Sequence, residues 1–521
     1  MRSEQVAKNV LANTLVQIVY IVLGFVNRTV FIYTLSAAYL GVSGLFSSIL
    51  SVLNLAELGV TSSIMYALYA PLSKKDDAEV RSVMEYYRKA YRIIGLVILV
   101  AGLALLPFLH YFVSGDTDLV NIRIAFLLYL AYTVASYWAL AYKSILLDAS
   151  QQKYVSTSII CIVNVVTTVA RIFILILLRG APAFAYYVYV AADVVGQIAK
   201  NVAMAKVVDK KFPFMKSGGQ KPVSLSREKR VAIRKNIVGT FSNKVSGIML
   251  TSADNILLSA FIGLTTVGLY SNYIALKSYV VKVVSIVFDS MTASVGDFCA
   301  SEPLDKQMEF FKALNLAYFW VYGFCSICLW NLLNPFIGDI WLGRDFLLSD
   351  LAVFLIVLNF LLDGLAGGVI AFRTAHGLYW QAKFRYIFSA LFNVVISILL
   401  VKPMGVEGVL LGSTVSVLIM LSFDPVIVFK NVFHQSALPY YLGYLGYLLL
   451  VIGTGAVVGE LSALFAEPTI LHFIIKVVIS VVVPNALWYL IFRKSRNMHL
   501  LNAYFQRTMK FLTFWKRKKV V

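Results

Sequence analysis

Six cations, Arg28, Arg171, Lys200, Lys244, Lys277 and Lys282, lie inside long apolar runs of the sequence, and so do the carboxylates Glu57, Asp254, Asp289 and Asp363. A charge held in hydrocarbon costs ~3 kcal/mol or more unless a partner or a watery cavity receives it, so each marks a candidate site. The balance leans basic, which suits an anionic cargo. Arg28 and Lys244 lead. Arginine offers a planar fork that grips two phosphate oxygens, and lysine a compact point charge. Arg28 falls in the outer part of the first run and Lys244 in the inner part of the seventh. Arg171, Lys200, Lys277 and Lys282 extend the same binding surface. Snorkelling to an interface or pairing between helices is the competing account of all six.

Glu57 is the most central charge, and its side chain is too short to reach either interface. Two roles are open to it: an ion pair with Arg28 or Lys277, or protonation and deprotonation as a coupling group. Asp254 sits near the position in the second half that corresponds to Arg28. It either mirrors that residue across a cavity or bonds to a neighbouring helix. Asp289 and Asp363 are weaker candidates. Tyr270, Tyr273 and Tyr279 are candidates for stacking on sugar faces.

No catalytic residue, metal site or cofactor is expected. The five histidines are scattered, and Cys325 and Cys328 form a CxxC inside an apolar run, where small packing residues are the better reading. The phosphate-binding pattern GxxxxGK[ST] does not occur, so direct ATP hydrolysis is not expected.

The elements that must carry these residues follow from composition. Hydrophobic residues make up 60% of the chain and charged residues 14%, against about 25% charged in soluble domains. Cut at the roughly 20 residues a helix needs to span hydrocarbon, the sequence holds about fourteen runs, from 10–34 to 468–492. These are continuous rather than alternating, which excludes a β-barrel. The expected fold is an all-α polytopic membrane protein. Arg2, Glu4 and Lys8 lead straight into the first run, which reads as a retained helix.

The net charge of +20 pools on one side. Residues 206–235 carry ten Lys/Arg against two acids, and 493–519 carry nine and no acid. Loops 70–88 and 372–385 are also basic, while 115–118, 339–350 and 460–467 are acidic or mixed. The positive-inside bias then places both termini in the cytoplasm. Orientation and anionic-lipid contact explain the charge, so no nucleic acid is implied.

The linker 208–235 is rich in Pro, Gly and polar residues and divides six runs from the rest. Lys8-Asn9-Val10 is echoed by Lys235-Asn236-Ile237, and Gly44-Leu45-Phe46-Ser47 by Gly268-Leu269-Tyr270-Ser271. The expected organisation is a six-helix lobe over 1–207, the basic linker 208–235, a second six-helix lobe over 236–430, helices thirteen and fourteen over 431–492, and a basic tail over 493–521. Such repeats are common in transporters, with the substrate site at their interface.

Several motifs resemble one family. Tyr39-Leu-Gly-Val-Ser-Gly-Leu-Phe46, Leu55-Ala-Glu-Leu-Gly-Val-Thr-Ser-Ser-Ile64 and Tyr69-Ala-Pro-Leu72 are similar to the start of polysaccharide-repeat lipid flippases of the Wzx type. Asp254-Asn-Ile-Leu-Leu-Ser259, Val267-Gly-Leu-Tyr-Ser-Asn-Tyr273 and Asn334-Pro-Phe-Ile337 with Trp341-Leu-Gly343 fit as well. The resemblance implies two lobes in a V-shape around a central cavity. It also implies export of an undecaprenyl-pyrophosphate-linked oligosaccharide across a bacterial cell membrane, with a polysaccharide polymerase and assembly proteins as partners. The main alternative is a cation-coupled drug antiporter of the same superfamily, which would favour intramembrane carboxylates. A membrane-embedded glycan polymerase would need a large outward catalytic loop, and a non-transporting assembly factor is separated from a flippase only by a transport assay.

Overall fold

The computed structural model describes residues 2–57, 59–114, 119–215, 225–227, 230–231, 233, 252–378 and 381–503. Among them every regular element is helical, as hydrocarbon requires: a helix satisfies its backbone internally, whereas an open sheet edge cannot. Among the described residues, nine helices are long and apolar enough to cross a membrane, and Ile122–Tyr137 with Ala141–Ala149, bent by 46°, makes a tenth. The chain is therefore a multi-pass membrane protein. Lys244 and the loop 115–118 lie outside the described residues, as does the repeat segment Lys235-Asn236-Ile237.

Two compact units are present, Met1–Ser271 and Asn272–Val521. In the first, helix Arg2–Thr34 packs on Lys153–Leu177, which packs on Pro182–Lys211, which in turn packs on Ile122–Tyr137. The second apolar run is broken. Helix Ala37–Leu53 ends in a 3-10 turn over Asn54–Glu57, and helix Val60–Lys74 begins after Gly59, whose φ of 87° suits glycine. In the second unit, helix Leu304–Pro335 is the hub, touching Asp350–Leu365, Gly367–Ala375, Leu438–Ala463 and Ile470–Phe492.

Small residues set the closest approaches. A Cβ built on Gly41 would stand 1.8 Å from the Leu264 carbonyl oxygen, and one on Gly268 would stand 1.9 Å from that of Ala37. Two helices therefore cross backbone to backbone at these glycines. Lys383–Met404 and Val406–Val428 form a second close pair, held by buried hydroxyls and amides: Ser389 Oγ bonds Ser416 Oγ at 2.5 Å, and Asn393 Nδ2 donates to Ser413 Oγ at 3.0 Å. Small residues and interhelical hydrogen bonds do this work where lipid removes the hydrophobic drive for helix association.

Candidate functional site

In the first unit, a polar seam runs along helices Arg2–Thr34, Lys153–Leu177 and Pro182–Lys211. Arg171 Nη1 lies 2.8 Å from Asp193 Oδ1, and Arg171 Nη2 donates to the Tyr189 hydroxyl. The same guanidinium sits over the Tyr189 ring, 3.8 Å from its centroid. Asn27 Nδ2 donates to that hydroxyl at 2.8 Å, and Asn164 Nδ2 donates to Tyr20 Oη at 3.2 Å. Two turns along the helix from Asp193, Lys200 Nζ donates to Gln197 Oε1 at 2.5 Å. Arg171 is thus met by a carboxylate, whereas Lys200 meets an amide. Both stay half-buried.

Arg28 is also half-buried, and its Nη2 donates to Ser271 Oγ at 2.5 Å. Ser271 Oγ passes the bond on to the Gly268 carbonyl at 2.7 Å. The arginine is thereby tied to the glycine whose helix crosses Ala37.

Glu57 lies at the break in the second run. Its carboxylate accepts from Thr61 Oγ1, which is 3.0 Å from both the Tyr87 and the Tyr91 hydroxyls. Tyr137 Oη donates to Asn54 Oδ1 at 3.2 Å on the same turn. A hydroxyl network surrounds Glu57, and no described cation forms an ion pair with it. Broken helices in membranes expose backbone carbonyls and place polar side chains beside them. Asp254 is buried and accepts from Tyr270 Oη at 3.1 Å.

The second unit has its own polar centre. Lys277 lies within electrostatic reach of Asp363, a solvent-accessible carboxylate near the end of helix Asp350–Leu365. Asp289 and Asp363 both act on Tyr322. Tyr322 and Tyr318 stack with Phe288, the Phe288–Tyr318 centroids being 3.8 Å apart at 14°. Lys282 is exposed and stands 5.8 Å from the centroid of the Tyr279 ring.

The family described as "Polysaccharide biosynthesis protein" matches residues 6–295. The chain belongs to that family. No curated protein matches it. Among solved structures, it is similar to "Lipid II flippase MurJ, inward closed conformation", with a TM-score of 0.64 and 15% identity over 93% of this chain and 98% of the other. It is also similar to an inward-facing multidrug resistance MATE family transporter of the MOP superfamily, with a TM-score of 0.56 and 12% identity over 80% and 97%. A mutant of the Vibrio cholerae MATE transporter VcmN gives 0.54 and 13% over 83% and 98%. At such identities the likeness shows a shared fold.

In this polysaccharide biosynthesis protein the motif residues have structural work. Tyr270 holds Asp254, and Ser271 receives Arg28. Tyr273 Oη donates to Asn334 Oδ1 at 2.6 Å and accepts from the Leu348 amide at 3.0 Å. Asn255 Nδ2 donates to Ser48 Oγ at 3.0 Å.

One cluster escaped the sequence reading. Arg373 and Arg385 look like charges of a basic loop, yet they are 4% and 2% exposed and share Asp424, itself 2% exposed. Arg373 Nε is 3.3 Å from Asp424 Oδ1, and Arg385 Nη1 contacts Asp424 Oδ2. The Arg385 guanidinium also lies over the Tyr386 ring, 4.2 Å from its centroid. Two cations against one carboxylate leave a net positive charge buried at the ends of three helices. The apolar stretch around Asp424 was the available signal, since a carboxylate there demands a cation.

Proposed function

We propose that the chain is a flippase that moves an undecaprenyl-pyrophosphate-linked oligosaccharide repeat unit from the cytoplasmic to the outer leaflet of a bacterial cell membrane. Membership of the polysaccharide biosynthesis protein family is the observation that carries this reading, and a fold shared with transporters supports it. The chemistry is consistent. The polyprenyl tail is at home in lipid, while the pyrophosphate and sugars lose water if moved unaided. A protein lowers that barrier by offering cations and polar side chains along the path, with no bond made or broken.

In this account Arg28, Arg171, Lys200, Lys244, Lys277 and Lys282 face the anionic head group, with Arg28 and Lys244 in closest contact. Arg28 offers pyrophosphate a planar fork, and Arg171 shares its charge with Asp193. Glu57 and Asp254 govern coupling or helix pairing. Six-helix lobes over 1–207 and 236–430, joined by the basic linker 208–235, alternate access, with both termini in the cytoplasm. A polysaccharide polymerase and assembly proteins receive the product.

Deleting the gene tests this in cells. Lipid-linked repeat units should accumulate facing the cytoplasm and surface polysaccharide should disappear. Unchanged surface polysaccharide would refute the reading. The antiporter alternative gains from the accessible carboxylate Asp363 beside Lys277; a deletion strain sensitised to cationic drugs but still displaying polysaccharide would establish it instead.

A further inference from the structure

A pocket of about 260 Å³ opens in the second unit where helices Leu304–Pro335 and Leu438–Ala463 end and Asp350–Leu365 and Ile470–Phe492 begin. It is unrelated to the charged centres described above. This end of the unit is opposite the basic loop 372–385 and the tail, so the positive-inside bias puts it on the outer side. Trp330, Asn331, Asn334, Asp350, Ser462 and Lys476 line it.

Their bonding state identifies the ligand class. Asn334 Nδ2 donates to Asp350 Oδ1 at 2.8 Å, which holds a carboxylate acceptor in the pocket lining. Asn331 spends its amide hydrogens on the Ile327 and Gly455 carbonyls, at 3.0 and 3.4 Å, leaving Oδ1 to accept. Lys476 forms no ion pair with a described residue and brings donors. One positive and one negative group cancel, so neither an anion nor a cation is preferred. One indole, Trp330, beside interleaved donors and acceptors suits a ring carrying several hydroxyls.

We propose that this pocket binds a neutral sugar ring of the cargo glycan on the delivery side of the membrane. The inference rests on the glycan reading above. Gly459 supplies the room: a Cβ there would come 3.2 Å from Asn331 Oδ1, so a larger side chain fills the cradle.

Saturation-transfer NMR on the full chain in detergent tests it. The probe is the neutral oligosaccharide released by mild acid from the lipid-linked repeat units of the cell that makes this protein. Wild-type protein should transfer saturation to the sugar ring protons. Gly459→Leu should weaken binding about tenfold or more by occupying the pocket, and Lys476→Ala about fivefold by removing a donor. Lys476 forms no ion pair with a described residue, so Lys476→Ala carries the test even if Gly459→Leu fails to fold. Export by wild-type cells without sugar binding to the purified protein, or binding that Lys476→Ala retains in full, overturns the pocket and leaves the transport reading standing. Binding without export overturns the transport reading and leaves the pocket.

Discussion

The helix crossing at Gly41 and Gly268 makes a prediction whose size and sign follow from the geometry. A Cβ on Gly41 would stand 1.8 Å from the Leu264 oxygen and 2.6 Å from its carbonyl carbon. Carbon and carbonyl oxygen approach comfortably to about 3.3 Å, so the helices would have to part by about 1.5 Å. Both atoms belong to backbone and cannot rotate aside. Overpacking of this kind costs about 3 kcal/mol, while glycine to alanine inside a helix returns about 1 kcal/mol. Gly41→Ala should therefore lose about 2 kcal/mol, and Gly268→Ala the same by the matching clash with Ala37. The two clashes share one displacement, so the double variant should lose less than the sum. Gly453→Ala is the control: nothing lies within 4 Å of its added carbon, and it should gain about 1 kcal/mol. A dodecyl sulfate titration in mixed micelles measures all four. Unchanged stability in Gly41→Ala, or losses that add in full, would refute the close crossing.

Other outcomes follow from the same contacts. Asp424→Asn leaves two buried guanidiniums facing each other and should destabilise the protein by about 3–5 kcal/mol, read as lost abundance in membranes; normal abundance would show that the cluster is hydrated. Glu57→Gln keeps a hydrogen-bond acceptor for Thr61, so the protein should reach normal levels, and blocked translocation at that level would make Glu57 a coupling residue; normal translocation would remove it from the mechanism. His376 lies at the end of helix Gly367–Ala375, half-buried, its Nε2 donating to Gln307 Oε1 at 3.1 Å. Burial holds its pKa below the ordinary 6.5, so the unfolded chain takes up the proton first. Stability should be full above about pH 6.5 and fall as pH drops through the folded-state value; His376→Gln should flatten that slope, and an unchanged slope would assign it to other groups.

Much of the architecture was legible in the sequence. Hydrocarbon permits few backbone solutions, so continuous apolar runs translate directly into helices. Residues inside those runs, Arg28, Arg171 and Glu57, do carry polar networks. Their partners were harder to read. Asp193 neutralises Arg171 across a helical hairpin, a pairing set by tertiary packing. The turn Asn54–Glu57 interrupts an apolar run that resumes beyond it, so Asn54, Glu57 and Gly59 are the marks of the break that the sequence carries. Arg373 and Arg385 sit at run ends, where loop charges are common; only folding shows that Asp424 draws them inward.

The central claim is that a basic, polar path carries an anionic lipid-linked glycan across the membrane, with Arg28 gripping the pyrophosphate. Purified protein in liposomes loaded with undecaprenyl-pyrophosphate-linked repeat units measures this directly, as the rate at which units in the inner leaflet become available to an external glycan-cleaving enzyme. Wild-type protein should speed the appearance well above empty liposomes. Arg28→Ala should abolish the gain, and Arg28→Lys should restore part of it, because a point charge replaces a fork. Equal rates with wild-type protein and with empty liposomes, or full activity in Arg28→Ala, would contradict the account.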